Sequence, residues 1–371
     1  MAPDDPMLAQ HRVWEDWAQA DPLWAILSDP TRKGGRWDLD EFFASGKPDV
    51  QLAIDQVVER KIPLNPGRSL DFGCGVGRLT QALADHFERS DGVDIAETMI
   101  ELANTYNRVG DRCRYHLNQQ ADLALFDDDS FDFVYSTIVL QHNPPDVAAR
   151  YIEEFVRILA PGGVAVFDMT AELAGTSLPP ASHRAAISLG PIGTVVPGEP
   201  FTVAVTVTNT SGQDWPAGTR LAAGNHWYPA GSDQMLVQDD GRATMHDGLT
   251  AGSTTDVALQ VTAPDEAGRY RLEVDLVEEA VCWFADVGGQ PASVDVKVAR
   301  RRWNRRTDPA EAPPPPDSQG PAPFEMNGLP REQVEATVAA TGADLVDVLH
   351  SDRGGANWDG YRYFVVKPQR P

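Results

Sequence analysis

Cysteine is scarce in this chain, with three in 371 residues, at positions 74, 113 and 282. No pair has the spacing of a metal module or a disulfide framework, so no metal is expected and a cystine-stapled secreted scaffold is excluded. A reducing, cytoplasmic setting is expected instead. Positive charge is also in short supply: 31 lysines and arginines stand against 55 aspartates and glutamates, for a formal charge of −24. A surface for phosphate backbones needs a basic face, so neither nucleic acid nor an anionic membrane is expected as a partner. No apolar run approaches the roughly 18 residues of a membrane span. Residues 1–10 carry neither the basic start nor the apolar centre of a secretory leader. A chain of this length holds two or three domains.

The stretch Leu70-Asp71-Phe72-Gly73-Cys74-Gly75-Val76-Gly77-Arg78-Leu79-Thr80 reads as a buried strand, a glycine turn and the start of a helix over 78–87. Glycines at alternate positions let the backbone turn tightly and approach a ligand with no Cβ in the way. The helix start presents unpaired N–H groups and a positive dipole end. Seventeen residues after Gly77, the second strand ends in Gly92-Val93-Asp94. A carboxylate there suits two ribose hydroxyls. The dinucleotide fingerprint G-x-G-x-x-G is not met, because the third glycine comes one residue early. Asp71 beside the turn would repel a pyrophosphate and attract an ammonium group.

Further along come Phe131-Asp132-Phe133-Val134-Tyr135-Ser136, then Leu140-Gln141-His142, then Arg157-Ile158-Leu159-Ala160-Pro161-Gly162-Gly163 leading into Val164-Ala165-Val166-Phe167. Proline stops the helix there, and glycine takes the left-handed cap. In order and spacing these segments resemble motif I and the fourth and fifth strands of class I S-adenosylmethionine-dependent methyltransferases. The resemblance implies an α/β fold with a Rossmann-like sheet of seven strands, and S-adenosyl-L-methionine as cofactor. It covers residues 67–169 well and 325–368 fairly.

The rest of the chain sorts around that core. Residues 1–66 read as an N-terminal helical cap or lid, rich in tryptophan, with one helix face at Leu52, Ile54, Val57 and Val58. Its aromatic set, Trp14, Trp17, Trp24 and Trp37 with Phe42 and Phe43, serves either as packing or as a lid that keeps the site dry. Residues 67–185 read as the first part of the core, with five strand patterns alternating with helices. From 186 to 299 the pattern changes to period-two alternation, as in Phe201-Thr202-Val203-Ala204-Val205-Thr206-Val207, and reads as an inserted all-β sandwich. Ala267-Gly268-Arg269-Tyr270-Arg271-Leu272 resembles the corner-tyrosine stretch of immunoglobulin-like domains. Residues 300–324 read as an arginine- and proline-rich linker, whose arginines either bind something acidic or neutralise the acidic body. Residues 325–371 supply a helix, stopped near Gly342, and two strands that complete the sheet.

The resemblance also implies site residues. Asp71 and the turn Gly73, Cys74, Gly75 and Gly77 would hold the methionine portion, and Asp94 the ribose hydroxyls. Ile95 and Met99 would pack near the adenine. The adenine acid after the third strand falls on Asp122, next to Leu123, with Gln120 as the alternative. An upstream base for the cofactor carboxylate falls on Arg36, and Trp14 and Trp37 would cover the substrate. His142, the one titratable residue after the fourth strand, would act as general base or orient its loop. The expected activity is methyl transfer to a hydroxyl of a small molecule or saccharide-bearing acceptor. The competing reading, from another class, is a non-catalytic cofactor-binding or scaffold protein whose sandwich binds a glycan or a protein. Asn225-His226-Trp227-Tyr228 and Cys282-Trp283-Phe284 suit sugar rings, an interface with a second copy of the chain, or sandwich core. A nicotinamide dehydrogenase is a third reading, disfavoured by the glycine spacing.

Overall fold

A computed structural model describes residues 6–237, 239–245, 247–279, 281–299, 324–355 and 357–369. The expected linker at 300–324 lies outside them except for its last residue, Phe324. The chain divides into two compact units, Met1–Leu173 with Gly320–Pro371, and Ala174–Gln319.

The first unit opens with helices α1 (Pro6–Ala20), α2 (Pro22–Ile26), α3 (Leu39–Ala44) and α4 (Gly46–Glu59). Asp21 is buried between the first two. Its carboxylate accepts from Trp24 N at the start of α2 and from Gly34 N and Gly35 N, which pins the following turn. Trp17, Phe42 and Phe43 then pack with Val76 and Met99.

The sheet comes next. Strands β1 (Arg68–Phe72), β2 (Arg89–Asp94), β3 (Cys113–Leu117), β4 (Phe131–Ser136) and β5 (Leu159–Leu173) alternate with α5 (Arg78–Leu83), α6 (Glu97–Thr105) and α7 (Pro145–Ile158). Covered by helices on both faces, β1 and β4 are buried along almost their whole length and show no alternation. In α7, Val147, Ala148, Tyr151, Ile152, Phe155 and Val156 form one buried stripe at helical spacing. Two expected boundaries move. Helix α5 is shorter than 78–87, because 84–87 form hydrogen-bonded turns onto Ala82 and Leu83. Pro161-Gly162-Gly163 is not a turn ahead of the fifth strand but lies inside β5, where the register against β4 shifts.

The second unit holds β6 (Ala185–Leu189), β7 (Pro200–Asn209), β8 (Leu221–Pro229), β9 (Arg242–Met245), β10 (Thr254–Thr262), β11 (Gly268–Glu278), β12 (Cys282–Trp283) and β13 (Ala292–Val298). They form antiparallel sheets, β10-β7-β6 and β12-β11-β8-β9, with β13 also on β11. Val203, Val205, Trp215, Trp227, Leu259 and Leu272 are among the side chains of its core. Tyr270 Oη donates to the Glu266 carbonyl at 3.0 Å. The expected start at 186 falls late. Leu178 belongs to this core, and Glu278, fully buried, accepts from Ser177 Oγ, Leu178 N and His183 Nε2. Of the readings open for 225–228, burial favours sandwich core over a sugar-binding face. Asn225, His226, Trp227 and Tyr228 are all buried in β8.

The chain returns through 324–330 to α8 (Arg331–Ala340), β14 (Asp344–Ser351) and β15 (Trp358–Val366). Val334 and Val338 bury one helix face, and Gly342, with φ +77°, follows its end. The completed sheet runs β14-β15-β5-β4-β1-β2-β3, with β14 and β15 antiparallel and the rest parallel. The second unit is thus inserted in sequence between β5 and the helix and hairpin that close the sheet. Among the described residues no helix is long and apolar enough to cross a membrane.

Candidate functional site

The order β4-β1-β2 places a topological switch point beside β1, and ligands of open α/β sheets bind outside the carboxyl ends of strands at such a point. A cavity of about 490 Å³ lies there, in the size range of small-molecule sites. Its floor is the glycine turn. Gly73, at φ +75°, has Val139 so close that a Cβ would stand 2.4 Å from a methyl group. A Cβ on Gly75 would meet Ile26 at the same distance. Only glycine allows the backbone to lie this near the cavity. Ile138, which also lines the cavity, holds φ +61°, an unfavourable angle for a β-branched residue.

Asp94, at the end of β2, accepts from Gly75 N at 2.8 Å and from Ala96 N at 3.0 Å. Burial raises its pKa, and these backbone donors oppose the shift. Asn118, just past β3, is fixed by donating through Nδ2 to the carbonyls of Gln120 and Asp122. Tyr151 Oη donates to the same Gln120 carbonyl. Thr137 Oγ1 and Gln10 Oε1 are buried on lining residues and have no partner among the described residues.

His142 follows β4 and is half-buried. Its Nδ1 stands 2.9 Å from the Glu325 carbonyl. A carbonyl only accepts, so Nδ1 carries the proton and Nε2 is left with its lone pair. Burial pushes the imidazole pKa down, and the Glu325 bond offsets part of that. Trp14 meets the ring edge-on at 5.1 Å between centroids, and Phe324 stacks on Trp14 at 4.8 Å. The returning segment is tied down beside them. Asn327 N donates to Gln141 O, and Thr170 Oγ1 donates to Asn327 O.

Residues 70–167 match the family described as "Methyltransferase domain". That match and the sheet order support an S-adenosylmethionine-dependent methyltransferase domain here. Residues 190–298 match the family described as "Ig-like domain from next to BRCA1 gene". Among curated proteins, a ubiquinone biosynthesis O-methyltransferase of Coxiella burnetii is 31% identical over 113 residues, 30% of this chain and 46% of that protein. Phosphoethanolamine N-methyltransferase 2 of Caenorhabditis elegans is 29% identical over 132 residues, 34% of this chain and 29% of that protein. The chain thus spans about half or less of the length of these relatives. Among solved structures, an S-adenosylmethionine-dependent methyltransferase from Clostridium acetobutylicum matches at 13% identity and a TM-score of 0.39, covering 86% of this chain and 90% of that one.

The cofactor of this methyltransferase domain is S-adenosylmethionine, and the cleft fits it. A backbone cradle with no Cβ, a carboxylate at the end of β2 and the buried, unpartnered Thr137 Oγ1 and Gln10 Oε1 on lining residues are compatible with a ribose, an amino acid and a flexible linker between them. Of the residues expected from sequence, Gly73, Cys74, Gly75, Asp94, Ile95, Met99, His142 and Trp14 line the cavity. Others do not. Asp71 is buried behind the turn and accepts from Thr80 Oγ1. Gly77 packs under Tyr115. Asp122 Oδ1 caps its own turn at Ala124 N, and Leu123 is core; Asn118 takes the place on the cavity wall expected for them. Trp37 is bonded to Leu27 O inside the cap, and Arg36 is exposed. The cavity's arginines are Arg78 and Arg353. Arg353, Phe324 and Met326 lie past the insert, where spacing from the glycine turn gives no guide. Asn118 was within reach of the sequence, one turn away from the acid expected there.

Proposed function

We propose that this chain transfers a methyl group from S-adenosylmethionine to a hydroxyl of a small-molecule or saccharide-bearing acceptor. The observation that carries the reading is His142, unprotonated at Nε2 and set beside the glycine cradle between Trp14 and the Glu325 carbonyl. When bound, S-adenosylmethionine supplies the methyl group on an electrophilic sulfonium. Gly73 and Gly75 would admit the cofactor close to the backbone, and Asp94, held by the Gly75 and Ala96 donors, would accept its ribose hydroxyls on its remaining lone pairs. Ile95, Met99 and Asn118, which line the cavity, would face the base. Trp14 and Phe324 exclude water and align the acceptor, a contribution on the order of 7–11 kcal/mol for well-placed reactants. His142 Nε2 would take the proton of the acceptor hydroxyl. The name of the Coxiella burnetii relative supports oxygen as the accepting atom. We read 174–299 as an immunoglobulin-like sandwich, a reading the Tyr270–Glu266 bond supports. The free cysteines support a reducing compartment.

The test pairs binding with turnover. Calorimetry should give saturable binding of S-adenosylmethionine and of its demethylated product, and a panel of hydroxylated acceptors should include one that gains a methyl group. His142→Ala should lower turnover on it by roughly 10²–10⁴-fold with cofactor affinity unchanged. In the native protein the rate should fall as pH drops through a value below the usual imidazole range. Full turnover in the variant would remove His142 as base, and folded protein that binds neither ligand would favour the scaffold reading.

A further inference from the structure

The charged side chains on the cavity wall separate into two groups. Asp94 ends β2. On the other flank of β1 stand Arg78, the first residue of α5, and Arg353, in the connection between β14 and β15. Both arginines hold a single carboxylate: Arg78 Nη1 is 2.8 Å from one oxygen of Asp49, and Arg353 Nη2 is 2.7 Å from the other. The nearby Arg362 is matched with Asp168, which also accepts from Ser351. Asp71 feels the charge of Arg78, but its carboxylate is turned to Thr80 and does not reach the cavity. Two guanidinium groups on the cavity wall therefore share one acid there, in a chain of formal charge −24. Arg78 is buried, and its Nε has no partner among the described residues. A buried, half-matched guanidinium is unfavourable unless an anion completes it.

S-adenosylmethionine has a diol at one end and a carboxylate at the other. Laid with the diol on Asp94, it crosses the glycine turn toward the arginine pair. We propose that Arg353, together with Arg78, binds the cofactor's carboxylate, so that the hairpin beyond the insert completes the cofactor site. This rests on the cofactor reading above. Arg353 suits the task, because a guanidinium fork binds carboxylate through two parallel N–H bonds. An anionic group on the acceptor is the competing occupant.

Calorimetry on the full chain distinguishes them, using S-adenosylhomocysteine and 5′-methylthioadenosine, which keeps the nucleoside and thioether but lacks the amino acid. Arg353→Ala should weaken S-adenosylhomocysteine about ten-fold or more and leave methylthioadenosine unchanged. Arg353→Lys should recover part of the loss, since it restores charge without the fork. Asp49→Asn should tighten S-adenosylhomocysteine by freeing both guanidinium groups, the opposite of what a purely structural ion pair gives. Equal weakening of both ligands by Arg353→Ala overturns the proposal, as does unchanged S-adenosylhomocysteine affinity. Unchanged affinity with lost turnover assigns the anion to the acceptor. Native protein that binds neither ligand overturns the cofactor reading itself.

Discussion

Asp71 and Asp91 stand on neighbouring strands, both almost fully buried, and differ in their partners. Burial raises the pKa of each. For Asp91, bonds from His116, Arg68 and Arg89 outweigh it and hold the acid far below the usual range. For Asp71, the Thr80 hydroxyl and the field of Arg78 fall short, and the pKa is pushed up to about 6. An unfolded aspartate titrates near 3.9. Between the two values the folded chain keeps a proton that the unfolded chain has lost, so stability falls as pH rises through that window, by up to about 3 kcal/mol. Asn in this position keeps an acceptor for Thr80 and has no charge to bury. Asp71→Asn should therefore be more stable than the native chain by about 2 kcal/mol near pH 7.5 and should lose the slope between pH 4 and 6. Urea unfolding at pH 4.5 and 7.5 measures both. A variant that is weaker at pH 7.5 would show that the carboxylate is better satisfied than its surroundings indicate.

The turn between β1 and α5 is the element on which the cleft depends, and Gly73 tests it. Alanine there would place a Cβ within 2.4 Å and 2.5 Å of the two Val139 methyl groups, at a φ of +75°. The left-handed angle costs about 1–2 kcal/mol and the overlap about 1–3 kcal/mol. Gly73→Ala should lower unfolding stability by a few kcal/mol and, by displacing Val139 into the cleft, reduce affinity for S-adenosylhomocysteine. Native-like binding would mean that the 137–139 segment yields freely. That turn was legible because its chemistry is local: strand, glycines, helix and Asp94 all fall within residues 68–94. So were α7 and α8, whose apolar positions recur at helical spacing, and β7, β10, β11 and β13, which alternate. Strand β8 was not, because its positions are buried on both faces and the pattern has no period. Strands β9 and β12, of four and two residues, are too short to carry one. The arginine pair and the Trp14–Phe324 stack join residues hundreds of positions apart across the insert, and no local spacing encodes that. Trp14 and Trp37 look alike in sequence; only the Leu27 carbonyl that holds Trp37 separates wall from packing.

At the scale of the whole molecule the question is where the inserted unit begins. The change to period-two alternation points to 186, but the packing points to 174. Glu278 is fully buried, and three of its donors, Ser177 Oγ, Leu178 N and His183 Nε2, lie before residue 186. Leu178 itself fills the core, and the buried Trp215 indole donates to Ser182 O. A fragment of 186–299 keeps Arg220, 3.6 Å away, as the remaining cation near Glu278. Removing partners from a buried acid costs about 3–5 kcal/mol, and the lost Leu178 side chain adds about 1.5–3 kcal/mol. Those two sums rival the whole stability of a domain this size, about 5–15 kcal/mol. A fragment of 174–299 should therefore unfold in urea as a single cooperative transition, whereas 186–299 should be unfolded or nearly so in buffer. Glu278→Gln in the shorter fragment should recover part of the difference, because an amide left short of donors is cheaper to bury than a carboxylate. Equal midpoints for the two fragments would place the boundary where the alternation starts and make 174–185 a passive connection.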